Sequence, residues 1–272
     1  MERIAVLGLG RMGAAAARRL LADGRPVSVW NRTPAPATRL AAEGADVAVD
    51  PAQAVRDADA VVVFVSDADA VREVLFGPSG AAAAMRPGAV LLQMSTIGPE
   101  AVDEVKRRLP EGVRLLDAPV KGSVPHVVTG ALTVYVGGEP DDVDRAGPVL
   151  SALGTTVRCG GVGAASALKL VVNAAMITSV ACLAEAFGLA AALGVSEEGV
   201  REELRSGPLA GALARVGAAG VDFPVTHAIK DLDLATASAP YAGLDVVAAV
   251  RNRLADFMGD PADDLSAVVD GK

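Results

Sequence analysis

Short apolar runs alternate with helical stretches from Ile4 to about Arg158. The runs are rich in Val, Ile and Leu, and the stretches between them carry apolar residues at helical spacing. This alternation is typical of βαβ units around a parallel sheet, in which strands buried on both faces are continuously apolar. It predicts strands at residues 4–7, 26–30, 60–65, 90–94, 114–117 and 132–136, and helices at residues 12–22, 34–43 and 68–75.

Only helical patterns follow residue 160, where a glycine-rich segment interrupts the alternation. We therefore predict two domains, residues 1–160 and residues 161–272. A long helix is expected from about Ser166, with further helices at residues 196–206 and 208–217 and two more beyond Pro224. The predicted fold class is α/β, with an N-terminal doubly wound sheet followed by an all-α domain that a long interdomain helix joins to it.

Residues 170–193 are almost continuously apolar and long enough to imitate a membrane span. Polar residues such as Asn173 and Glu185 interrupt them, and Lys169 precedes them. We expect a buried helix and no membrane partner. Because an unpaired buried carboxylate is costly, we expect Glu185 to have a buried partner or to lie at a subunit contact.

A glycine-rich turn lies between the first predicted strand and the first predicted helix. Its glycines have the spacing at which a strand turns sharply, the backbone approaches a pyrophosphate, and a helix packs closely on the sheet. The buried strand before the turn and the Ala-rich helix after it support this interpretation. The sequence predicts a Rossmann domain that contacts a dinucleotide through Gly8, Leu9, Gly10, Arg11, Met12 and Gly13.

The second predicted strand leads into Asn31, Arg32 and Thr33. An NAD site usually has Asp or Glu at this position, where the carboxylate binds the 2′-hydroxyl of the adenosine ribose. In the absence of that carboxylate, the guanidinium of Arg32 and the hydroxyl of Thr33 can bind a 2′-phosphate. We expect these three residues to contact the cofactor, and we expect NADP(H) to be preferred over NAD(H).

Composition and charge exclude several other functions. The net charge of −8, without a cluster of Lys and Arg, argues against a nucleic-acid or anionic-membrane partner. The 2 cysteines are too few for a disulfide framework, and the N-terminus lacks the pattern of a signal peptide, so we expect a cytoplasmic protein. The two histidines, His126 and His227, are far apart in the chain, and we expect no metal site.

Lys169 is the strongest candidate for proton transfer. It stands in the first turns of the most apolar predicted helix, and Asn173 follows four residues later on the same helical face. Partial burial lowers the pKa of a lysine because it disfavours the charged form. A lysine in such a position can give a proton to a carbonyl oxygen while a nicotinamide gives a hydride to the carbonyl carbon.

Five motifs, in this order, resemble those of the β-hydroxyacid dehydrogenases. This family includes 3-hydroxyisobutyrate dehydrogenase, tartronate semialdehyde reductase and glyoxylate/succinic semialdehyde reductases. The motifs are the turn at residues 8–13, Ser95-Thr96-Ile97, Asp117-Ala118-Pro119-Val120-Lys121-Gly122-Ser123, residues 160–173, and Lys230-Asp231-Leu232-Asp233-Leu234-Ala235.

The resemblance implies a role for each motif, in an active site between the two domains. Lys169 is then the catalytic acid/base, Asn173 holds the substrate and the lysine, and Lys230 closes over the cofactor. The implied substrate contacts are Ser95, Thr96, Lys121, Gly122, Ser123, Phe223 and Asp231. By position after a predicted strand, Ser66, Asp67 and Ala68 are expected near the nicotinamide ribose, although a helix cap explains this segment equally well. Val65, Ser66 and Thr96 are expected among the cofactor contacts.

The loop Lys121-Gly122-Ser123 departs from the Ser-Gly-Gly of many family members. Lys121 can bind a second anionic group of the substrate, such as a carboxylate or phosphonate, or it can point to solvent. We expect NADP(H)-dependent interconversion of a small anionic 3-hydroxyacid and its semialdehyde or oxo acid, by a homodimer or homotetramer. The alternatives are an imine reductase and a non-catalytic NADP(H)-binding module, and the presence of Lys169 and Asn173 argues against both.

Overall fold

The computed structural model describes residues 3–269. Its internal contacts divide the chain into two units, of which the first ends at Lys169 and the second begins at Leu170. The division falls inside a helix, after the predicted boundary at residue 160, because hydrogen bonds join the first turn of that helix to the sheet.

The first unit is built on one sheet, which has nine strands within the described residues. The strands are β1 (Ile4–Leu7), β2 (Val27–Trp30), β3 (Asp46–Val47), β4 (Ala60–Val63), β5 (Val90–Gln93), β6 (Arg114–Asp117), β7 (Val120–Lys121), β8 (Leu132–Gly137) and β9 (Gly154–Gly160). Their order across the sheet is β3-β2-β1-β4-β5-β6-β8-β7, and β9 pairs with β8. From β3 to β6 all pairs are parallel, so the carboxyl ends of these strands lie at one edge of the sheet.

Strand β1 shows why the sequence of this sheet is so apolar. Successive side chains of a strand point to opposite faces. Ile4 and Val6 therefore pack into one hydrophobic cluster while Ala5 and Leu7 pack into another, and all four are fully buried. A strand that is covered on both faces leaves no position for a polar side chain, which explains the continuous apolar runs.

The helices occupy the connections of the first unit and most of the second. In the first unit they are α1 (Arg11–Ala22), α2 (Pro34–Ala41), α3 (Pro51–Val55), α4 (Ala68–Phe76), α5 (Pro99–Arg108), α6 (Val124–Thr129), α7 (Pro140–Arg145), α8 (Gly147–Leu153) and the 3₁₀ turn Ala82–Ala84. Helix α9 (Ala164–Leu193) runs from the first unit into the second. The others are α10 (Glu197–Leu204), α11 (Ala210–Val216), α12 (Val225–Ser238), α13 (Asp245–Ala255) and the 3₁₀ turn Leu265–Val268.

The predicted fold class is confirmed, and so are the predicted strands and helices, whose ends differ from the structure by a few residues. The apolar pattern misses strand β9. This strand pairs only with β8 among the described strands, and Thr155, Val157 and Arg158 are exposed. An exposed edge strand needs no apolar run, so its sequence does not stand out from that of a loop.

Helix α9 is less buried than its sequence predicts. By length and composition it is the one helix among residues 3–269 that could cross a membrane, and only 39% of its most apolar window is buried. Ile177, Val180 and Leu183 pack into the core of the second unit. Glu185 is exposed in the single chain and forms an ion pair with the exposed Arg253 at 3.0 Å, so its partner is not buried, and its place at a subunit contact stays a prediction.

The carboxylate of Asp264 joins several segments of the second unit. It accepts hydrogen bonds from the guanidinium of Arg215 at 2.9 and 3.2 Å, from the backbone N–H of Phe223 at 2.7 Å, and from Ser266. Burial by itself raises the pKa of Asp264, but the hydrogen bonds from Arg215, Ser266 and Phe223 outweigh it and lower the pKa below its ordinary value. These bonds fix Phe223 just before α12.

The substitution Asp264→Asn should lower the free energy of unfolding at pH 7 by about 1–3 kcal/mol, because it removes a half-buried ion pair. The folded state lowers the pKa of Asp264. The stability that the ionised Asp264 contributes is therefore complete above the ordinary carboxyl pKa, and it is lost as the pH falls through the pKa of Asp264 in the folded protein. The free energy of unfolding is measured with urea. Its difference between wild type and variant should be constant above about pH 5 and should shrink below about pH 4. The exposed neighbour Asp263→Asn is the control, and a difference that persists unchanged to pH 3 would contradict the assignment.

Candidate active site

The turn between β1 and α1 requires glycine at two positions because the protein packs against itself there. Gly8 has a φ of +90°, and a β-carbon at this position would lie 2.2 Å from the carbonyl oxygen of Phe64. A β-carbon at Gly13 would lie 2.0 Å from the carbonyl oxygen of Gly8. The first turn of α1 therefore rests directly on the backbone of the preceding loop.

Gly10 is different, because a β-carbon at this position would meet no protein atom within 4 Å. It is the N-cap residue of α1, where no side chain caps the helix and no acidic residue occupies the first turn. Uncapped backbone N–H groups at a helix start, facing open space, are suited to bind a phosphate group. The residues at this turn thus fit the pyrophosphate of a dinucleotide.

Asn31 connects this turn to the end of β2. Its Oδ1 accepts a hydrogen bond from the backbone N–H of Leu9 at 2.8 Å, and its Nδ2 donates to the carbonyl of Thr33 at 2.8 Å. Both ends of the amide are thus bonded within the protein, so Asn31 positions the two loops. Arg32 and Thr33 are exposed beside them, and no side chain caps helix α2, which starts after Thr33.

Ser95 joins the ends of β4 and β5. It is buried, and its hydroxyl accepts a hydrogen bond from the N–H of Val65 at 2.9 Å and donates one to the carbonyl of Val63 at 3.4 Å. The side chain of Gln93 binds both the N–H and the carbonyl of Ser95, at 2.8 and 2.7 Å. Ser95, a predicted substrate contact, thus holds the ends of β4 and β5 in alignment.

Ser66 and Thr96 lie in the loops that follow these two strands. The hydroxyl of Ser66 donates to Asp67 at 2.6 Å, and Asp67 caps helix α4 by accepting from the N–H of Ala70 at 2.8 Å. The helix cap that the sequence allowed at residues 66–68 is thus formed by Asp67. Thr96 is partly exposed at the end of the loop that follows β5.

The loop Lys121-Gly122-Ser123 leads from β7 into α6. Lys121 is exposed and opposite Thr133 of β8. Gly122 has a φ of +134°, a conformation that favours glycine. Ser123 is largely buried, with its hydroxyl 3.1 Å from Nδ1 of the exposed His126. The pairing of Lys121 with β8 and the contact of Ser123 with His126 therefore hold the backbone of this loop.

Asp117 ends β6 and is fully buried. Its carboxylate accepts hydrogen bonds from the backbone N–H of Ser166 at 2.7 Å and from the Ser166 hydroxyl at 2.6 Å. Burial raises the pKa of Asp117 above its ordinary value, although the bonds from Ser166 and from the backbone N–H groups of Gly163 and Ala165 act in the opposite direction. The start of α9 is thus joined to the end of a central strand.

Two buried polar residues of the second unit, Asn173 and Asp231, form a group with the partly buried Lys230. Asn173 and Asp231 are both buried, and Nδ2 of Asn173 donates to Oδ2 of Asp231 at 2.5 Å. Nζ of Lys230 lies 3.1 Å from the other carboxylate oxygen, Oδ1, as an ion pair without hydrogen-bond geometry. Lys169 is 9% exposed and stands one turn before Asn173 on α9.

The structure thus brings the predicted site residues together in two groups. One group lies where β1, β2, β4 and β5 end; it contains residues 8–13, Asn31, Val65 and Ser95. The other consists of Asn173, Lys230 and Asp231. Phe223 is partly buried before α12, with its ring centroid 6.3 Å from that of His227. Among residues 3–269 there is no group of three His, Cys, Asp or Glu residues that could hold a metal ion.

The sequence did not indicate the structural roles of Gln93 and Ser166. Gln93 could have been noticed, because it is a polar residue at the end of an otherwise apolar strand. Ser166 gave no such signal, since its partner Asp117 lies 49 residues away.

Known proteins share both the sequence pattern and the fold. Residues 3–161 match the family described as the NAD binding domain of 6-phosphogluconate dehydrogenase. The 3-sulfolactaldehyde reductase of Escherichia coli is 34% identical over 213 residues, which cover 78% of this chain and 71% of that protein. Among solved structures, 3-hydroxyisobutyrate dehydrogenase of Mycobacterium tuberculosis with L-serine has a TM-score of 0.87 and 29% identity, and covers 100% of this chain and 99% of its own. Psf3 in complex with NADP+ and 2-OPP has a TM-score of 0.85 and 25% identity, with 98% and 99% covered.

The family model extends over the glycine-rich turn and the polar strand ends, and the structural match to 3-hydroxyisobutyrate dehydrogenase also includes the helix that carries Lys169 and Asn173. The predicted family is confirmed. The chain is an oxidoreductase that belongs to the β-hydroxyacid dehydrogenase family.

Proposed function

We propose that this protein reduces a small anionic aldehyde or oxo acid with NADPH, and catalyses the reverse oxidation of the 3-hydroxyacid, with Lys169 as the acid/base. The observation that carries the proposal is the pair of buried polar side chains on one face of α9, Lys169 and Asn173. Lysine is among the residues least often buried in proteins. The similarity to a 3-sulfolactaldehyde reductase supports an aldehyde substrate that carries an anionic group.

Each polar residue then has a defined task. Bound NADPH would supply a hydride to the carbonyl carbon. The ammonium group of Lys169 donates a proton to the carbonyl oxygen, which becomes the hydroxyl of the product. Asn173 orients the substrate oxygen, and its amide is held by the hydrogen bond to Asp231. Lys230 offsets the negative charge of the buried Asp231.

Replacement of Lys169 by Ala should lower kcat by about 100- to 10,000-fold, because it removes the proton donor. The dissociation constant of NADPH should change by less than about 2-fold, since the glycine-rich turn is untouched. NADPH oxidation measures the first and fluorescence titration the second. Lys106→Ala, an exposed lysine on α5, is the control. Unchanged turnover, or the loss of both activity and NADPH binding, would contradict the role of Lys169.

The compounds that the enzyme reduces in this assay distinguish the proposed function from its alternatives. We expect activity with glyoxylate, succinic, methylmalonate or tartronate semialdehyde, 3-sulfolactaldehyde, or phosphonate analogues. A marked preference for doubly anionic compounds would assign a role to Lys121, and unselective activity would leave that lysine at the surface. Reduction of cyclic imines alone would support an imine reductase. Tight NADPH binding without any turnover would support a non-catalytic module.

We also propose that the preferred cofactor is NADP(H). The exposed guanidinium of Arg32 and the uncapped start of α2 are adjacent, and no acidic residue occupies the first turn of that helix. A 2′-phosphate can be bound by such a set of donors, and no carboxylate stands there to bind a ribose hydroxyl. The binding of NADP+ by Psf3 supports this preference.

Arg32→Ala should raise the KM for NADPH by about 10- to 100-fold, because one charge-assisted hydrogen bond contributes about 1.5–3 kcal/mol. The KM for NADH should hardly change. The exposed Arg39→Ala on α2 alters the charge by the same amount and is the control. A wild-type enzyme that uses NADH with an equal or lower KM would contradict the preference.

We propose in addition that copies of the chain associate along α9. Val171, Cys182, Leu189 and Leu193 are exposed and follow one another at intervals of 11, 7 and 4 residues, which places them on one face of the helix. An exposed apolar stripe of this kind, interrupted by the ion-paired Glu185, is typical of a protein interface. The proposal is a homodimer or homotetramer that buries this stripe.

Leu189→Glu should convert the oligomer to a monomer, since it places a charge in the proposed interface. Light scattering after size-exclusion chromatography measures the mass. Ala191→Glu adds the same charge on another face of α9 and should leave the oligomer intact. A wild-type protein that is monomeric at micromolar concentration would contradict the proposal.

A further inference from the structure

Asp117 is a buried charged group to which the proposed reaction gives no task. Its side chain is fully buried, and burial of a carboxylate is costly unless donors surround it. The donors come from the first turn of α9 and from the residue before it. They are the backbone N–H and the hydroxyl of Ser166 and the backbone N–H groups of Gly163 and Ala165.

Two glycines shape the segment that enters α9. Gly160 and Gly163 have φ values of +109° and +91°. Both conformations favour glycine. Gly160 ends β9, where it is the register partner of Gly137 on β8 and accepts a hydrogen bond from the N–H of Gly138. A carboxylate at the amino-terminal end of a helix is favourable because it satisfies the unbonded N–H groups and opposes the helix dipole. Asp117 therefore adds a side-chain attachment at the start of α9 to the backbone pairing that holds the entering chain.

Strand β8 also contacts the start of α9. Gly137 is the register partner of Asp117. A β-carbon at Gly137 would lie 2.4 Å from the carbonyl oxygen of Gly161 and 3.3 Å from the backbone nitrogen of Ala165. The backbone at the start of α9 is thus in direct contact with β8, beside the carboxylate that binds it.

Ser166 and Lys169 are three residues apart, so they lie on the same face of α9 and about 4.5 Å apart along its axis. A helix transmits a displacement of its first turn to the next turn. Removal of the bond to Ser166 would therefore displace the side chain of Lys169, and misplacement of a reacting group by about 1 Å can lower a rate by about 100-fold.

We infer that Asp117 is a positioning residue, which holds Ser166 and the start of α9 so that Lys169 stands at the carbonyl oxygen of the substrate. This inference rests on the proposed function of Lys169. The motif at residues 117–123 would then have two tasks. Its loop at residues 121–123 contacts the substrate, and Asp117 positions the start of α9.

The test compares Asp117→Asn and Ser166→Ala with wild type. Ser166→Ala removes the hydroxyl bond and keeps the backbone bond, so it disturbs folding least. We expect kcat to fall about 10- to 100-fold in both variants, with the dissociation constant of NADPH unchanged within about 2-fold. The limb of the pH profile of kcat that Lys169 produces should move by at least about 0.5 pH unit. Ser151→Ala, an exposed serine of α8, is the control and should behave as wild type.

Three results separate this inference from the proposed function. If Lys169→Ala retains turnover, the proposed function fails. If Lys169→Ala is inactive while Ser166→Ala and Asp117→Asn keep the wild-type kcat and pH profile, the inference alone fails. A lower kcat that only follows a loss of thermal stability, without any movement of the pH profile, would also overturn the inference, because it would show a merely structural contact.

Discussion

A direct contact between backbone segments determines where a cofactor can bind this protein. The first turn of α1 rests on the loop after β1, and the carbonyl of Gly8 leaves no space for a β-carbon at Gly13. This contact directs the uncapped start of α1 toward the open space at Gly10, at the edge where the parallel strands end. Asn31 then fixes the same loop to the end of β2, beside Arg32. The proposed preference for NADP(H) depends on this arrangement.

Buried polar side chains are few in this protein, and most of them concern the candidate site. Gln93 and Ser95 align two strand ends, Asp117 and Ser166 join the sheet to α9, and Asn173 and Asp231 bind each other. A buried polar group that lacks a partner costs about 1–3 kcal/mol, so each pair fixes the relative position of the elements that carry it. The same interactions that stabilise the fold thereby hold the proposed catalytic groups in place.

The sequence predicted what local patterns determine. Strands buried on both faces produce continuous apolar runs, the glycine spacing follows from the contact between α1 and its loop, and the interval between Lys169 and Asn173 places both on one helical face. It could not predict partners that are distant in the chain, such as Asp117 and Ser166. Apolar composition also cannot distinguish a helix face in the core from one that is left open, which is why the exposure of α9 was unexpected.

The central claim is that the ammonium group of Lys169 donates the proton to the carbonyl oxygen. Chemical rescue measures this directly: NADPH oxidation by the Lys169→Ala enzyme is followed with an aldehyde substrate while small primary amines are added. If Lys169 is the donor, the rate should rise from near zero with the concentration of the protonated amine, with NADPH binding unchanged. A Lys169→Ala enzyme that oxidises NADPH at the wild-type rate, and does so equally with and without amine, would contradict the claim.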